Sequence, residues 1–192
     1  MLLLVLGLVL FLGVHSVRIL AGGWRDRTRA RLGANAYRGV YSLVSLAGLV
    51  LIVYGFAQAR ADSPVLWVSP FGLKMFAVLL VAVAFVLVTA AYVPGNQIKA
   101  AVHHPMLLGV KTWAAAHLLA NGRLVDVVLF GAFLAWSVVD FATCRRRDRA
   151  AGTTYPPGRS GATVKTVVIG LVVFALFGQF VHPWLFGVRP FP

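Results

Sequence analysis

The stretch FGLKMFAVLLVAVAFVLVTAAYV, residues 71–93, decides the fold class of this chain. Apart from Lys74 near its beginning, the stretch carries no charged side chain. A helix needs roughly 20 mainly apolar residues to cross a hydrocarbon core of about 30 Å, and buried helices of soluble proteins are usually shorter. Residues 71–93 therefore predict a membrane-spanning helix.

The composition extends this prediction to the whole chain. Of its 192 residues, 60% are apolar and only 12% are charged, which is more apolar surface than a soluble domain of this length can bury. We therefore predict an all-α fold, a polytopic integral membrane helical bundle that forms a single domain over residues 1–192. Its predicted transmembrane helices, about six, cover residues 1–21, 37–59, 71–93, 105–119, 124–143 and 164–182.

The distribution of basic residues predicts the orientation of the bundle. The chain has 18 Lys and Arg against 5 Asp and Glu, and most of the arginines lie in the segments 22–36 and 144–163. Because basic loops stay on the cytoplasmic side, six spans place both termini on the non-cytoplasmic side of a bacterial inner membrane. The net charge of +13 then indicates contact with anionic lipid headgroups of the bilayer, not with nucleic acid.

The five histidines are the residues most able to carry chemistry. An ionisable group at bilayer depth is costly and usually faces a protein interior, where it pairs, relays protons or holds a cofactor. His15 falls within the first span and His117 near the outer end of the fourth. His104 precedes Pro105 at the cytoplasmic edge beside His103, which we expect to be solvated, and His182 ends the last span.

Haem matches these histidines better than zinc does. A zinc site needs three or four ligands, and no H-x-x-x-H spacing occurs, whereas haem needs one or two imidazoles and small residues near the macrocycle. His15 beside Gly13 and His117 after Ala114–Ala116 fit that need. Their estimated depths differ by about 12 Å at 1.5 Å per residue, so helix-packing or wetted interfacial histidines stay open as alternatives.

Four segments of the chain resemble the NnrU family of membrane proteins. They are FLGVHSVR (residues 11–18), LGANAYRGVYSLVSLAGLVLIVYG (32–55), the closing histidine-proline, and HHPMLLGVKTWAAAHLLANG (103–122). The most specific part is H-P-x-L-x-G followed by W-A-x-x-H-L-x-A-N-G. The family includes proteins associated with bacterial denitrification, with a proposed role in nitrite and nitric oxide reduction. It is also similar to 15-cis-zeta-carotene isomerases, which are membrane haem b enzymes.

The resemblance implies specific residue roles. His15 and His117 match the histidines that hold the haem iron, and His104 matches a histidine required for the isomerase function, so we expect His104 to be catalytic. Many relatives carry arginine where this chain has His103. The implied function is haem b binding. It is linked either to denitrification, with a redox or reductase partner, or to haem-dependent cis-trans isomerisation of a hydrophobic polyene, which would be the substrate.

Two other interpretations remain open. The chain is alternatively a non-catalytic membrane accessory or assembly factor for nitric oxide or nitrite reductase. H-P-x-L-x-G also faintly resembles the R-H-P-x-Y-x-G motif of isoprenylcysteine-type methyltransferases, although the acidic residue those enzymes use is not evident in CRRRDR, residues 144–149.

Overall fold

The structure, a computed structural model, describes residues 1–191 and is built of helices. The helices are α1 (Leu2–Leu20), α2 (Gly22–Leu32), α3 (Ala34–Ala61), α4 (Phe71–Tyr92), α5 (Gln97–Val102), α6 (Pro105–Ala120), α7 (Leu124–Ala150), α8 (Ser160–Leu176) and α9 (His182–Phe186), with a π-helical turn, Phe177–Val181, between the last two. The predicted all-α membrane fold is therefore confirmed.

Within residues 1–191, five helical stretches are long and apolar enough to cross a membrane: Leu2–Leu20, Ala34–Ala61, Phe71–Tyr92, Leu124–Ala150 and Ser160–Phe186. Between 17% and 28% of the most apolar window of each stretch is buried within the protein. Much of the rest is exposed apolar surface, such as Leu43 at 69% and Leu79 at 64%. These outer faces fit a lipid bilayer, where apolar side chains need no covering from water.

The first of two compact units comprises Met1–Leu66 and Arg123–Ala132. Its centre is an antiparallel pair, α1 and α3, in which glycines let the two backbones touch. A Cβ on Gly7 would lie 2.6 Å from the Ile52 nitrogen, and one on Gly48 would lie 2.8 Å from the Phe11 nitrogen. Small residues at such positions are typical of membrane helix pairs, because close backbone approach supplies the packing that the hydrophobic effect cannot.

The beginning of α7 is joined to the end of α3 in this unit. The Leu124 nitrogen donates to the Pro64 carbonyl at 3.0 Å, and the Val125 nitrogen donates to Ser63 Oγ at 2.9 Å. Buried Asp126 accepts from the Arg123 nitrogen at 3.1 Å and thereby satisfies one of the unpaired amides at a helix start.

The second unit comprises Trp67–Gly122 and Phe133–Pro192. In it, α6 runs antiparallel to α4: Gly109 packs against Ala84 and Val88, and Ser69, just before α4, donates to the Leu119 carbonyl near the end of α6. Although α6 has 16 residues and is only about 24 Å long at 1.5 Å per residue, it returns the chain to the end at which α4 begins. It therefore occupies the place of the predicted fourth span, while the five helical stretches named above have full spanning length.

The structure differs from the sequence-based prediction at the ends of the spans. The basic segment that we expected to be a loop contains α2, and the turn before Pro105 contains α5. Helix α7 continues through CRRRDR to Ala150, two turns beyond the predicted residue 143, because arginine is a good helix former. The last predicted span is interrupted by the π-helical turn.

Candidate functional site

His15 lies on α1, within the first unit. Its Nδ1 is 2.6 Å from the Phe11 carbonyl oxygen, and since a carbonyl only accepts, Nδ1 carries the proton. Nε2 then carries the lone pair with which a neutral imidazole coordinates a metal. The ring stacks on Phe11 at 4.4 Å between centroids and meets the edge of Tyr41, on α3, at 5.3 Å. Its orientation is therefore defined by both helices of the pair.

His117 lies near the end of α6, within the second unit, and repeats this arrangement. Its Nδ1 is 2.9 Å from the Trp113 carbonyl oxygen, so Nδ1–H donates and Nε2 again carries the lone pair. The ring lies 5.1 Å from the Trp113 ring. Ala114 and Ala116 are both fully buried, so these small side chains face protein.

His104 lies at the other end of α6, as its N-cap residue. Its Nε2 is 2.7 Å from Oδ2 of Asp148, near the end of α7. The phenol of Tyr155 donates to the same carboxylate oxygen at 2.8 Å. The 13 residues from His104 to His117 correspond to about 20 Å along a helix, so these two histidines belong to different sites.

His103 precedes His104 in an unusual backbone conformation. Its φ of 66° and ψ of −48°, with the His104 nitrogen 2.8 Å from the Val102 carbonyl oxygen, define a γ-turn of the rare strained kind. It is the sole described non-glycine residue with positive φ. The His103 ring stacks on Tyr155 at 4.1 Å and 4°, while the His104 ring meets the edge of Tyr155 at 6.3 Å. The turn thus brings two consecutive side chains to one tyrosine.

Arg145 contacts this group of residues directly, and Lys111 contacts a neighbouring phenylalanine. Arg145 donates to Nδ1 of His103, and Lys111 lies 4.8 Å from the centre of the Phe141 ring, which itself contacts His104 at 6.1 Å. Burial of the phenol and, next, its bond to Asp148 raise the pKa of Tyr155 above its ordinary value. Tyr155 is therefore a protonated donor at neutral pH.

The structure brings together residues that sequence patterns left apart. We predicted His104 as a site residue and His103 as solvated, whereas His103 is held between Tyr155 and Arg145. Asp148 and Tyr155 were missed. One signal was available, because Asp148 is a lone acidic residue within the basic run CRRRDR and so invites a search for a partner.

No cluster of three or more His, Cys, Asp or Glu side chains suited to a metal ion occurs within residues 1–191. A macrocyclic iron centre needs only one or two protein ligands, so the histidines can be judged singly for that role.

Comparison with curated proteins and with solved structures finds no match for this chain. The family described as "NnrU protein" matches residues 3–190, which cover nearly the whole chain and include all five histidines. This long chain of apolar helices, with histidines on α1 and at both ends of α6, therefore belongs to the NnrU family.

Proposed function

We propose that this NnrU family membrane protein binds haem b through His15 and His117. The observation that carries the proposal is the shared ring geometry: each imidazole donates Nδ1–H to the carbonyl four residues earlier on its own helix. A ligating histidine almost always donates its other ring nitrogen in this way, because the bond fixes the tautomer and orients the ring.

The residues around each histidine fit a haem ligand. Aromatic contacts from Phe11 and Tyr41 orient His15, and Trp113 orients His117. These groups restrict ring rotation and keep Nε2 as the coordinating atom. When bound, haem supplies an iron that changes oxidation state and activates π-bonded or diatomic ligands.

The reaction that we propose is cis-trans isomerisation of a hydrophobic polyene, or a step linked to nitrite and nitric oxide reduction with a redox or reductase partner. The largely lipid-facing helices support a substrate that dissolves in the bilayer. His104 is the proposed catalytic residue of either reaction. Family membership supports the isomerisation and the denitrification role equally, since one fold can carry several chemistries.

The first experiment is the visible spectrum of the full chain, produced with ample haem and purified in detergent. We expect a Soret band. His15→Ala and His117→Ala should each shift or remove it, and the wild type should bind carbon monoxide weakly because both histidines would hold the iron. His182→Ala is the matched control, because its Nδ1 also donates to a carbonyl, that of Val188, but from the C-terminal end of the chain. A protein without a Soret band would overturn the proposal.

Carbon monoxide binding also tests whether His15 and His117 can both hold the iron, since the sequence places them at different depths in the membrane. If one histidine alone ligates the iron, the wild type should bind carbon monoxide strongly, and only one of the two alanine variants should change the spectrum. That result would correct the ligand pair while keeping haem.

A non-catalytic accessory role is tested genetically. In a denitrifying host, loss of the gene should lower nitrite or nitric oxide reductase activity. The accessory role requires that a His15→Ala/His117→Ala variant, present in the membrane at the wild-type level, restores that activity. Failure to restore it supports a role for the histidines themselves.

A further inference from the structure

His104, the proposed catalytic residue, belongs to a group with His103, Asp148 and Tyr155, which we call the His–Asp–Tyr cluster and whose chemistry the proposed haem function does not explain. It lies where the beginning of α6, the end of α7 and the segment 151–159 meet, within the second unit. The cluster contains neither of the proposed haem ligands, and His117 on the same helix lies about 20 Å away. It therefore needs an explanation of its own.

Two hydrogen bonds of the cluster converge on one oxygen of Asp148. Tyr155 donates to Asp148 Oδ2 at 2.8 Å, and His104 Nε2 lies 2.7 Å from the same oxygen. An ionised carboxylate only accepts, so Nε2 of His104 carries a proton and the lone pair of the neutral ring is on Nδ1. An imidazole held by a carboxylate in this manner is the arrangement that general-base histidines use.

The backbone is strained at the same place. Strained residues persist where the surrounding structure determines them, and they concentrate at functional sites. Here the strain at His103 has a visible result, since it directs His103 to Tyr155 and Arg145 while His104 reaches Asp148 and Tyr155. A relaxed helical connection would separate two consecutive side chains by about 100° around the helix axis.

The cluster is also accessible. The side chains of His104 and Asp148 are 19% and 20% exposed, which is enough for contact with water or with a ligand but too little for full solvation. Arg145, which donates to His103, adds positive charge to the cluster, and this charge favours an anionic product of proton removal.

We propose that the cluster is a proton-transfer site, in which His104 takes a proton from a hydroxyl or similarly weakly acidic group of a ligand and Asp148 and Tyr155 are its positioning residues. The ligand O–H bond breaks as the Nδ1–H bond forms, and the electron pair of the broken bond stays on the oxygen. Asp148 remains a carboxylate and stabilises the imidazolium, which then returns its proton to water.

The test uses two haem-independent measurements on the full chain in lipid nanodiscs. The first is nitrogen NMR of ¹⁵N-histidine-labelled protein, with His104 assigned by His104→Gln. We expect one tautomer, protonated at Nε2, whose proton exchanges slowly with water. Asp148→Asn should speed this exchange at least about tenfold, because hydrogen bonds to charged groups are worth more than one decade in equilibrium. Tyr155→Phe should act in the same direction with a smaller effect.

The second measurement reports the reactivity of His104 as a base. Diethyl pyrocarbonate acylates unprotonated imidazole, and peptide mass spectrometry reads each histidine separately. We expect His104 to react faster than His103, whose Nδ1 accepts from Arg145. Asp148→Asn should slow acylation of His104 alone, and Asp140→Asn, a second carboxylate on α7, should change neither measurement.

The outcomes separate this proposal from the proposed haem function. A mixture of His104 tautomers in the wild type, or an Asp148→Asn variant indistinguishable from wild type in both measurements, would overturn the cluster whatever the visible spectrum shows. If Asp148→Asn changed the proton exchange of His104 but not its acylation rate, Asp148 would be a structural contact only, and this result would also overturn the proposal. Loss of the Soret band in His15→Ala and His117→Ala, with the cluster intact, bears only on haem.

Discussion

Gly7→Ala tests whether close contact between α1 and α3 holds the first unit together. The added Cβ would lie 2.6 Å from the Ile52 nitrogen and 2.9 Å from the Gly48 oxygen. Ordinary contact begins at 3.4 Å, so the helices must separate by about 0.8 Å, the difference between 3.4 and 2.6. Both neighbours are backbone atoms and cannot rotate away. Overpacking of this kind costs about 1–3 kcal/mol.

Gly13→Ala is the matched control on the same helix, because nothing lies within 4 Å of its added Cβ. Alanine is favoured over glycine in a helix by about 0.8–1.0 kcal/mol at both positions, so the difference between the two variants isolates the packing cost. At about 2–4 °C per kcal/mol, the thermal midpoint of Gly7→Ala should lie about 2–12 °C below that of Gly13→Ala.

The assay is thermal unfolding of the purified protein in one detergent, followed by fluorescence-detected size exclusion. Equal midpoints for Gly7→Ala and Gly13→Ala would refute the close backbone packing of α1 on α3. A midpoint for Gly13→Ala far below wild type would instead refute the open surroundings of Gly13.

Three further predictions concern the second unit. Asn96→Ala should lower the free energy of unfolding by about 1–3 kcal/mol, because buried Asn96 donates to two carbonyls and caps α5; wild-type stability would contradict this. His103→Gly should be more stable than His103→Ala by about 1–2 kcal/mol, since only glycine adopts positive φ without strain; equal stabilities in denaturant would exclude the γ-turn. A membrane-impermeant maleimide should label Cys144, the single cysteine, in inside-out vesicles and not in right-side-out ones, and the reverse pattern would invert the predicted orientation.

The membrane helices could be predicted because their signal is local. Long apolar runs such as 71–93 identify spans without any tertiary information, and α4 begins and ends within a residue of the prediction. The end of α7 was predicted too early, because a hydropathy pattern stops where charge begins whereas the backbone hydrogen bonds continue through the arginines to Ala150.

The His–Asp–Tyr cluster could be predicted only in part. The histidine before Pro105 was recognisable from its motif. Its partners lie 44 and 51 residues further along the chain, on a helix end and in a loop, and no periodicity connects them. The γ-turn at His103 was equally hidden, because its side chain gives no sign of positive φ, a conformation for which glycine is the usual signal.

The π-helical turn Phe177–Val181 has an evolutionary consequence. A π-helical turn holds about one residue more than an α-helical turn, so it absorbs an inserted residue that would otherwise rotate everything after it by about 100°. His182 follows this turn directly, so its direction relative to α8 is the one that an uninterrupted α-helix one residue shorter would give it. Family members one residue shorter between α8 and the histidine-proline pair, with an α-helix in place of this turn, should therefore carry the histidine on the same face. The π-helical turn thus lets the chain length change at this position while the direction of the histidine is kept.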